Sequence, residues 1–213
     1  QFRDCQATSF GGVPYTYQML DKLRFYRMDL PSLRTMTQAG GKLAPELHKK
    51  FAEYAAANGK RFFVMYGQTE ATARMGYLPC QKSIEKFGSM GIAIPGGKFS
   101  LIDGDGNEIL EPDVVGELVY EGANVAMGYA QAGPDLARGD EWNGRLVTGD
   151  MAKRDKDGYY YIVGRKKRFL KIFGNRVNLD EMEHMVKVAF PNVDCACSGK
   201  DDNVYLFVTD ISI

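Results

Sequence analysis

The chain has 213 residues, of which 45% are hydrophobic and 25% charged, with 27 basic against 27 acidic side chains. This length suffices for one large or two modest cores, and the balanced charge gives no electrostatic reason to expect nucleic acid as a partner. No apolar run approaches the roughly 20 residues that cross a bilayer, so no membrane span is expected. Scattered cysteines and the absence of a signal peptide pattern favour a cytoplasmic protein with reduced thiols.

The first 60 residues predict a helix, a strand and a second helix, an alternation typical of an α/β domain. Tyr17, Leu20, Leu23 and Met28 recur at loosely helical spacing, and we assign them to the core. Residues 30–38 predict the strand.

The second helix is predicted from Pro45 to Ala57, because proline suits a first helical turn and the Asn-Gly pair after Ala57 suits an end. His48 is expected at the surface rather than in a metal site, since no second ligand stands three or four residues away. The apolar face of this helix would carry Leu47, Phe51 and Tyr54.

The run Arg61–Tyr66 is almost wholly apolar, as expected of a buried parallel strand, and it ends in Gly67-Gln-Thr-Glu70. Open α/β sheets place their ligand sites outside the carboxyl ends of such strands. An aromatic ring there can stack on a base, a threonine hydroxyl can bind a phosphate oxygen, and a carboxylate can hold Mg²⁺ between phosphates. The alternative is a turn whose Thr69 and Glu70 merely cap a following helix.

From residue 83 to about residue 149, short apolar runs alternate with turns rich in Gly, Asp and Asn. This texture predicts a small β-barrel or sheet. Asp103–Asn107 and Asp155–Gly158 are predicted to be hairpin turns rather than metal sites, because the ligand series of a calcium loop is not in place.

Residues 168–213 predict a hairpin, a helix and a strand. The helix should begin near Asp180, capped by Asn178 or by Asp180 itself. His184 in this helix is expected to be a surface or packing residue rather than a catalytic base. The apolar side of the helix would carry Met182, Met185, Val186 and Ala189.

Several short motifs follow one another along the chain. In order, they are Gln38–Gly41, Tyr66–Glu70, Gly116–Val119 with Gly128–Tyr129, Thr148–Asp150, Gly164–Arg165, and Lys171 with Gly174 before Glu181–Glu183. In this order and spacing the chain resembles the adenylate-forming superfamily, which includes acyl-CoA synthetases, aryl-CoA ligases, luciferases and the adenylation domains of peptide synthetases.

The resemblance implies an α/β + β fold in three parts. Residues 1–82 would be the C-terminal part of the large α/β subdomain, and residues 83–166 a β-rich, barrel-like subdomain. Residues 167–213 would be the hinge and the truncated start of a small α+β C-terminal subdomain. Strands missing from the first part would leave apolar surface exposed, so self-association of the fragment is expected.

The resemblance also implies roles for residues at the end of the predicted strands. Tyr66 would stack on adenine, and Gly40, Gly41 and Gly67 would let the backbone pass close to the nucleotide. Thr69 would contact the α-phosphate. Glu70 would bind Mg²⁺.

Further roles follow for the motifs in the second half. Asp150 would accept hydrogen bonds from both ribose hydroxyls, and Arg165 would donate to the same sugar. Lys167 would be the hinge residue about which the C-terminal subdomain rotates, although a solvated basic patch at residues 166–168 is the alternative. Lys171 would be a catalytic residue of the moving part, and Gly174 would leave room for pantetheine.

The implied reaction is ATP-dependent activation of a carboxylic acid. Carboxylate and ATP would give an acyl-adenylate and pyrophosphate, and the thiol of coenzyme A would then displace AMP. The family's phosphate loop has no counterpart in residues 1–213, and its catalytic lysine normally lies beyond the last predicted strand, so we expect a fragment that does not adenylate by itself. A non-catalytic adenine-nucleotide-binding module and an amino-acid adenylation domain of a peptide synthetase remain as alternatives.

Overall fold

A computed structural model of the protein describes residues 2–172, 175–200 and 202–209, with the backbone alone at residues 171, 175 and 176. The chain divides into two compact units. The first comprises Gln1–Thr148 with Ala152–Ile162, and the second comprises Gly149–Met151 with Val163–Ile213. No helix in the described residues is long and apolar enough to cross a membrane.

The secondary structure alternates helices and strands in the first third and is dominated by strands thereafter. The helices are α1 (Pro14–Lys22), α2 (Pro45–Ala57) and α3 (Leu179–Ala189). The strands are β1 (Ser9–Gly12), β2 (Thr35–Gln38), β3 (Arg61–Tyr66), β4 (Gly76–Tyr77), β5 (Ile92–Ala93), β6 (Lys98–Ile102), β7 (Gly116–Glu121), β8 (Arg145–Arg154), β9 (Tyr160–Arg165), β10 (Phe169–Ile172), β11 (Asn175–Asn178), β12 (Cys195–Lys200) and β13 (Asn203–Val208).

The first sheet has the strand order β1-β2-β3-β4-β5. Strands β1, β2 and β3 are parallel, which confirms the prediction of a parallel strand over Arg61–Tyr66, whereas β4 and β5 are antiparallel. The strand predicted over residues 30–38 forms only from Thr35 onward. Before it, the N–H of Leu33 closes a turn on the carbonyl of Leu30 at 3.2 Å, with Pro31 inside the turn.

The core of this α/β layer is aromatic. Tyr17 of α1 is fully buried and meets Phe51 of α2 edge-to-face, with ring centroids 4.8 Å apart. Its hydroxyl donates to the carbonyl of Thr37 at 2.8 Å, and burial raises the pKa of this phenol. Leu23 and Met28 are 65% and 38% exposed, so their assignment to the core is wrong. The reason is that α1 ends at Lys22, so neither residue continues its buried face.

Helix α2 has the predicted bounds, but His48 is 1% exposed and the expectation of a surface histidine is wrong. Its Nδ1 accepts from the N–H of Gly88 at 3.0 Å, so the proton is on Nε2, which lies 2.9 Å from Ser83 Oγ. Burial lowers the pKa of His48 to about 4. A neutral histidine therefore ties α2 to residues 83–88 in the same unit.

The β-rich region forms an open sheet, so the expectation of a barrel is wrong. In the described residues its strand order is β6-β7-β8-β9. Phe99 packs between the rings of Tyr120 and Tyr160, with both centroid distances 5.3 Å. Both predicted turns are confirmed: the Asp103 carboxylate accepts from two backbone N–H groups of its own turn, and Asp155 begins the turn that joins β8 to β9.

The second unit contains two antiparallel hairpins, β10–β11 and β12–β13, with α3 between them. The predicted hairpin, helix and strand are confirmed. Asn178, rather than Asp180, caps α3, because its Oδ1 accepts from the N–H of Asp180 at 3.0 Å. His184 lies exposed on α3, and Met185 is 65% exposed.

Candidate functional site

The loop between β3 and β4, residues 67–75, folds back on itself. The N–H of Ala73 donates to the carbonyl of Gln68 at 2.9 Å. Gly67 lies against the returning backbone, where an added Cβ would stand 2.3 Å from Ala73 O, so position 67 requires glycine. Thr72 and Ala73 have φ values of 57° and 61°, the left-handed region that costs a non-glycine residue about 1–2 kcal/mol.

Thr69 and Glu70 lie in a short 3₁₀ turn, Thr69–Ala71, within this loop. Strand β4 follows the turn, so the alternative in which these residues cap a helix is wrong. Thr69 is exposed and Glu70 is half-buried. The hydroxyl of Tyr129 donates to Oε1 of the Glu70 carboxylate at 2.7 Å, which raises the pKa of the phenol.

The start of the loop is attached to the β-rich sheet of the same unit. Gln68 Nε2 donates to the carbonyl of Thr148 at 3.0 Å, and Thr148 Oγ1 in turn donates to the carbonyl of Leu118 at 2.8 Å. The half-buried ring of Tyr66 meets the ring of Phe99 edge-on at 6.0 Å. One side of the Tyr66 ring is therefore supported by the sheet.

The Gly40-Gly41 turn follows β2. Gly40 has φ 79° and Gly41 has φ 156°, values that glycine adopts readily. The buried Gln38 side chain holds the turn from inside, because its Nε2 donates to the carbonyl of Gly41 at 2.9 Å. Lys42 is anchored as well, since its Nζ donates to the carbonyl of Ile162 at 2.9 Å.

The two turns lie at one edge of the first sheet. Strands β2 and β3 pair in parallel up to Gln38 and Val64, so their carboxyl ends are neighbours. The structure thus places at this edge six of the predicted site residues, namely Gly40, Gly41, Tyr66, Gly67, Thr69 and Glu70. This is the edge at which open α/β sheets bind ligands.

In the second unit, Asp150 of β8 and Arg165 of β9 form an ion pair. The Arg165 Nε lies 2.7 Å from Asp150 Oδ1, a distance typical of a charge-assisted hydrogen bond. The aspartate side chain is 6% exposed and that of the arginine 61%. A buried carboxylate held by an exposed guanidinium is an acceptor of fixed orientation, suited to hydroxyl groups of a ligand.

The remaining predicted residues follow Arg165. Lys167 is exposed in the 3₁₀ turn Lys166–Arg168. Lys171 lies in β10. The prediction for Gly174 falls outside the described residues.

Arg168 has a structural role that the sequence analysis missed. Its Nε donates to Asp180 Oδ1 at 2.7 Å, its Nη1 to the carbonyl of Cys197 at 2.8 Å, and its Nη2 to the Glu183 carboxylate. Glu183 Oε1 also accepts from the N–H of Cys197 at 2.6 Å. The basic run at residues 166–168 is therefore not uniform, because one of its three cations joins β12 to α3.

The described residues contain no group of three or more His, Cys, Asp or Glu side chains that could hold a metal ion. A single carboxylate such as Glu70 suits Mg²⁺ nevertheless, because this ion is usually bound by one or two carboxylates together with substrate phosphates. The donor type at Glu70 therefore fits a cation that arrives with a nucleotide.

Two curated relatives align with almost the whole chain. The long-chain-fatty-acid–CoA ligase of Escherichia coli O6:H1 is 30% identical over 214 residues, which are 97% of this chain and 37% of the relative. The 4-hydroxybutyrate–CoA ligase 1 of Metallosphaera sedula is 32% identical over 206 residues, which are 92% of this chain and 34% of the relative. The chain thus spans little more than a third of the curated relatives it matches.

Solved structures give the same fold. The o-succinylbenzoate CoA synthetase of Bacillus subtilis, in complex with its acyl-adenylate intermediate, superimposes with a TM-score of 0.80 at 24% identity, covering 98% of this chain and 43% of that one. The anthranilate CoA ligase AuaEII, in complex with anthranoyl-AMP, has a TM-score of 0.73 at 25% identity, with coverages of 97% and 39%. Residues 2–130, more than half of the chain, match the family described as AMP-binding enzyme. The chain therefore belongs to the AMP-binding enzymes, as its motifs predict.

Proposed function

We propose that this chain is part of an acyl-CoA synthetase that joins a carboxylic acid to coenzyme A through an acyl-adenylate. The observation that carries the proposal is that relatives named as CoA ligases align with more than nine tenths of the chain. In the first step a carboxylate oxygen attacks the α-phosphorus of ATP and pyrophosphate leaves. In the second step the thiol of coenzyme A attacks the acyl carbon and AMP leaves.

In this proposal adenine lies at the edge where β2 and β3 end. Tyr66 offers a ring face for stacking, and Gly40, Gly41 and Gly67 keep the neighbouring backbone free of side chains. The contacts that hold both turns support this assignment, because a stacking platform must be fixed before the ligand arrives.

The ribose assignment depends on the ion pair of the second unit. Asp150 would accept from the vicinal hydroxyls, and Arg165, already fixed by that carboxylate, would donate to the sugar. The support is the burial of Asp150 combined with the exposure of Arg165.

Phosphate and metal would be bound through the β3–β4 loop. The exposed Thr69 hydroxyl would contact the α-phosphate, and the Glu70 carboxylate would hold Mg²⁺ together with phosphate oxygens. When bound, Mg²⁺ neutralises charge on the phosphates. The chain's own residues position that charge and the attacking carboxylate, which is the main catalytic requirement when two anions must meet.

We further propose three parts with the boundaries expected from the sequence: an α/β part in residues 1–82, a β-rich part in residues 83–166, and a moving part in residues 167–213. Lys167 would be the pivot, Lys171 would move with the last part, and Gly174 would border the pantetheine channel.

The four cysteines are free thiols, which agrees with a reducing cytoplasmic compartment.

Nucleotide binding tests this proposal in the 213-residue chain. Calorimetry with AMP, with ATP and with an acyl-sulfamoyl adenosine should show that the acyl-adenylate mimic binds tightest, because it fills both the nucleotide and the acyl subsites. Asp150→Asn should weaken all three by tenfold or more, whereas Asp105→Asn, in an exposed turn, should not. Intact AMP binding in Asp150→Asn would show that the ribose assignment is wrong.

Catalysis is tested in the natural gene product that contains this sequence. We expect AMP release that requires both a carboxylic acid and coenzyme A. If the protein binds nucleotide but shows no acid-dependent pyrophosphate exchange, it is a non-catalytic binding module rather than an enzyme.

A further inference from the structure

Tyr129 lies beside the carboxylate to which we assign the metal. Its hydroxyl donates to Glu70 Oε1 at 2.7 Å, although the two residues are 59 positions apart in the sequence. The hydrogen bond to Glu70 raises the pKa of the Tyr129 phenol. A charged acceptor strengthens a hydrogen bond, so this contact suits Glu70 as a carboxylate that can also bind a cation.

The phenol is itself held in place. Its ring meets that of Trp142 at a right angle, with centroids 5.0 Å apart and an interplanar angle of 86°. The neighbouring backbone is fixed by the N–H of Glu141, which donates to the carbonyl of Met127 at 2.8 Å. At Gly128 the φ value of 150° favours glycine, whereas the 2.9 Å contact of an added Cβ with Glu141 Oε2 could be relieved by movement of that flexible side chain.

Residues 124–129 also form hydrogen bonds with the backbone of the β3–β4 loop. The N–H of Ala126 donates to the carbonyl of Glu70 at 2.8 Å. Asn124 Nδ2 donates to the carbonyl of Ala71 at 2.8 Å, and its Oδ1 accepts from the hydroxyl of Tyr120 at 2.8 Å. Residues 124–129 thus contact both the main chain and the side chain of the short turn that carries Glu70.

We propose that Tyr129 is a positioning residue for Glu70, whose hydroxyl orients the carboxylate toward a divalent cation bound between nucleotide phosphates. This inference depends on the proposed function, because it needs Glu70 to be the metal ligand. A glutamate has several rotatable bonds and loses their entropy when it ligates a metal, so a fixed donor at one oxygen reduces that loss. Hydrogen-bonding partners of ligating carboxylates commonly govern metal affinity.

Tyr129→Phe removes the hydroxyl and keeps the ring on Trp142. In the 213-residue chain, calorimetry would measure Mg²⁺ affinity at saturating ATP and, separately, ATP affinity in EDTA. The variant should bind Mg²⁺ about tenfold more weakly, with ATP affinity in EDTA unchanged. Tyr205→Phe, which alters an exposed ring of β13, is the matched control and should change neither affinity.

A second readout follows the phenol directly. In protein carrying ¹³C-labelled tyrosine, the NMR signal that Tyr129→Phe deletes should have a different chemical shift in the wild type and in Glu70→Gln at neutral pH, because the phenol loses its charged acceptor. If that signal has the same chemical shift in both proteins, the hydrogen bond does not form and the inference is overturned.

The remaining outcomes separate the inference from the proposed function. If wild-type protein binds Mg²⁺ through Glu70 and Tyr129→Phe binds it equally well, Tyr129 does not position the carboxylate and the function stands. If Glu70→Gln does not alter Mg²⁺ binding at all, the metal assignment itself fails and takes the inference with it. Equal loss of ATP affinity with and without metal in Tyr129→Phe would indicate a general structural effect and would also overturn positioning.

Discussion

The Nε of Arg165 lies 2.7 Å from Asp150 Oδ1, and these are the two residues to which we assign the ribose. Because the guanidinium is 61% exposed, the ion pair should contribute little to stability and more to the orientation of ligands. A substitution at Arg165 should therefore change ligand affinity more than it changes stability.

Arg165→Gln tests this expectation. The free energy of unfolding should fall by no more than about 1 kcal/mol, since the guanidinium is largely exposed and the amide of glutamine can still donate to the buried Asp150 carboxylate. AMP affinity should fall severalfold, because both a donor and the orientation of Asp150 are affected. Urea denaturation measures the free energy of unfolding, and calorimetry on the same sample measures AMP affinity. A large loss of stability would contradict the expectation that Arg165 acts mainly on ligand orientation.

His48 makes stability depend on pH. Its pKa is about 4 in the folded protein, below the ordinary value of 6.5, so the unfolded chain binds a proton first as the pH falls. Stability from this group is complete above about pH 6.5 and decreases toward pH 4; between pH 7 and pH 5 the loss should be about 2 kcal/mol. Urea titrations at several pH values measure it.

The matched variants for this prediction are His48→Gln and His184→Gln. The first should be less stable at neutral pH and should flatten the pH dependence, because the titrating group is gone. The second alters an exposed histidine and should preserve the wild-type slope. An unchanged slope in His48→Gln would assign the pH dependence to other groups.

Gly67→Ala should damage the β3–β4 loop. The new methyl group would stand 2.3 Å from Ala73 O, and relieving that contact requires backbone movement that costs about 1–3 kcal/mol. Gly104→Ala is the control, since nothing lies within 4 Å of its added Cβ and its stability should stay within about 1 kcal/mol of wild type. Thermal unfolding of the two variants compares them directly.

Arg168→Met should destabilise the second unit. It removes three hydrogen bonds from one guanidinium and separates Glu183 from its cation. We expect a loss of about 1–2 kcal/mol, because the guanidinium and both carboxylates are partly exposed. Hydrogen exchange of α3 and β12 amides would locate the loss in this unit. Lys167→Met, which alters the exposed neighbour, should not accelerate that exchange.

Sequence patterns predicted the local features well. The bounds of α2, the extent of β3 and the turns at Asp103 and Asp155 follow from signals a few residues apart, namely proline and glycine at helix ends, continuous apolar runs, and Asp-Gly turns. His48 was misplaced although the signal was present, because it stands three, four and seven residues before Phe51, Ala52 and Ala55, all on the buried face of α2.

Contacts between distant residues could not be predicted in the same way. Tyr129 and Glu70 were both visible in motifs, yet spacing along the chain does not reveal that their oxygens meet. Arg168 was interpreted with its neighbours as one basic run, because nothing local distinguishes a cation that pairs with α3 from one that faces water. Such pairings are set by tertiary packing rather than by local preference.

The hydrogen bond between Tyr120 and Asn124 affects which substitutions the loop that carries Glu70 can tolerate. Tyr120 is fully buried in the β-rich core, and through Asn124 its hydroxyl supports the loop that carries Glu70. Mutational scanning should therefore show that substitutions at Tyr120 weaken nucleotide binding, although this buried side chain cannot contact a ligand. A substitution at Tyr120 should therefore lower both nucleotide affinity and the stability of the core. A substitution at Tyr129, which lies on the surface, should lower nucleotide affinity in the presence of Mg²⁺ without destabilising the fold.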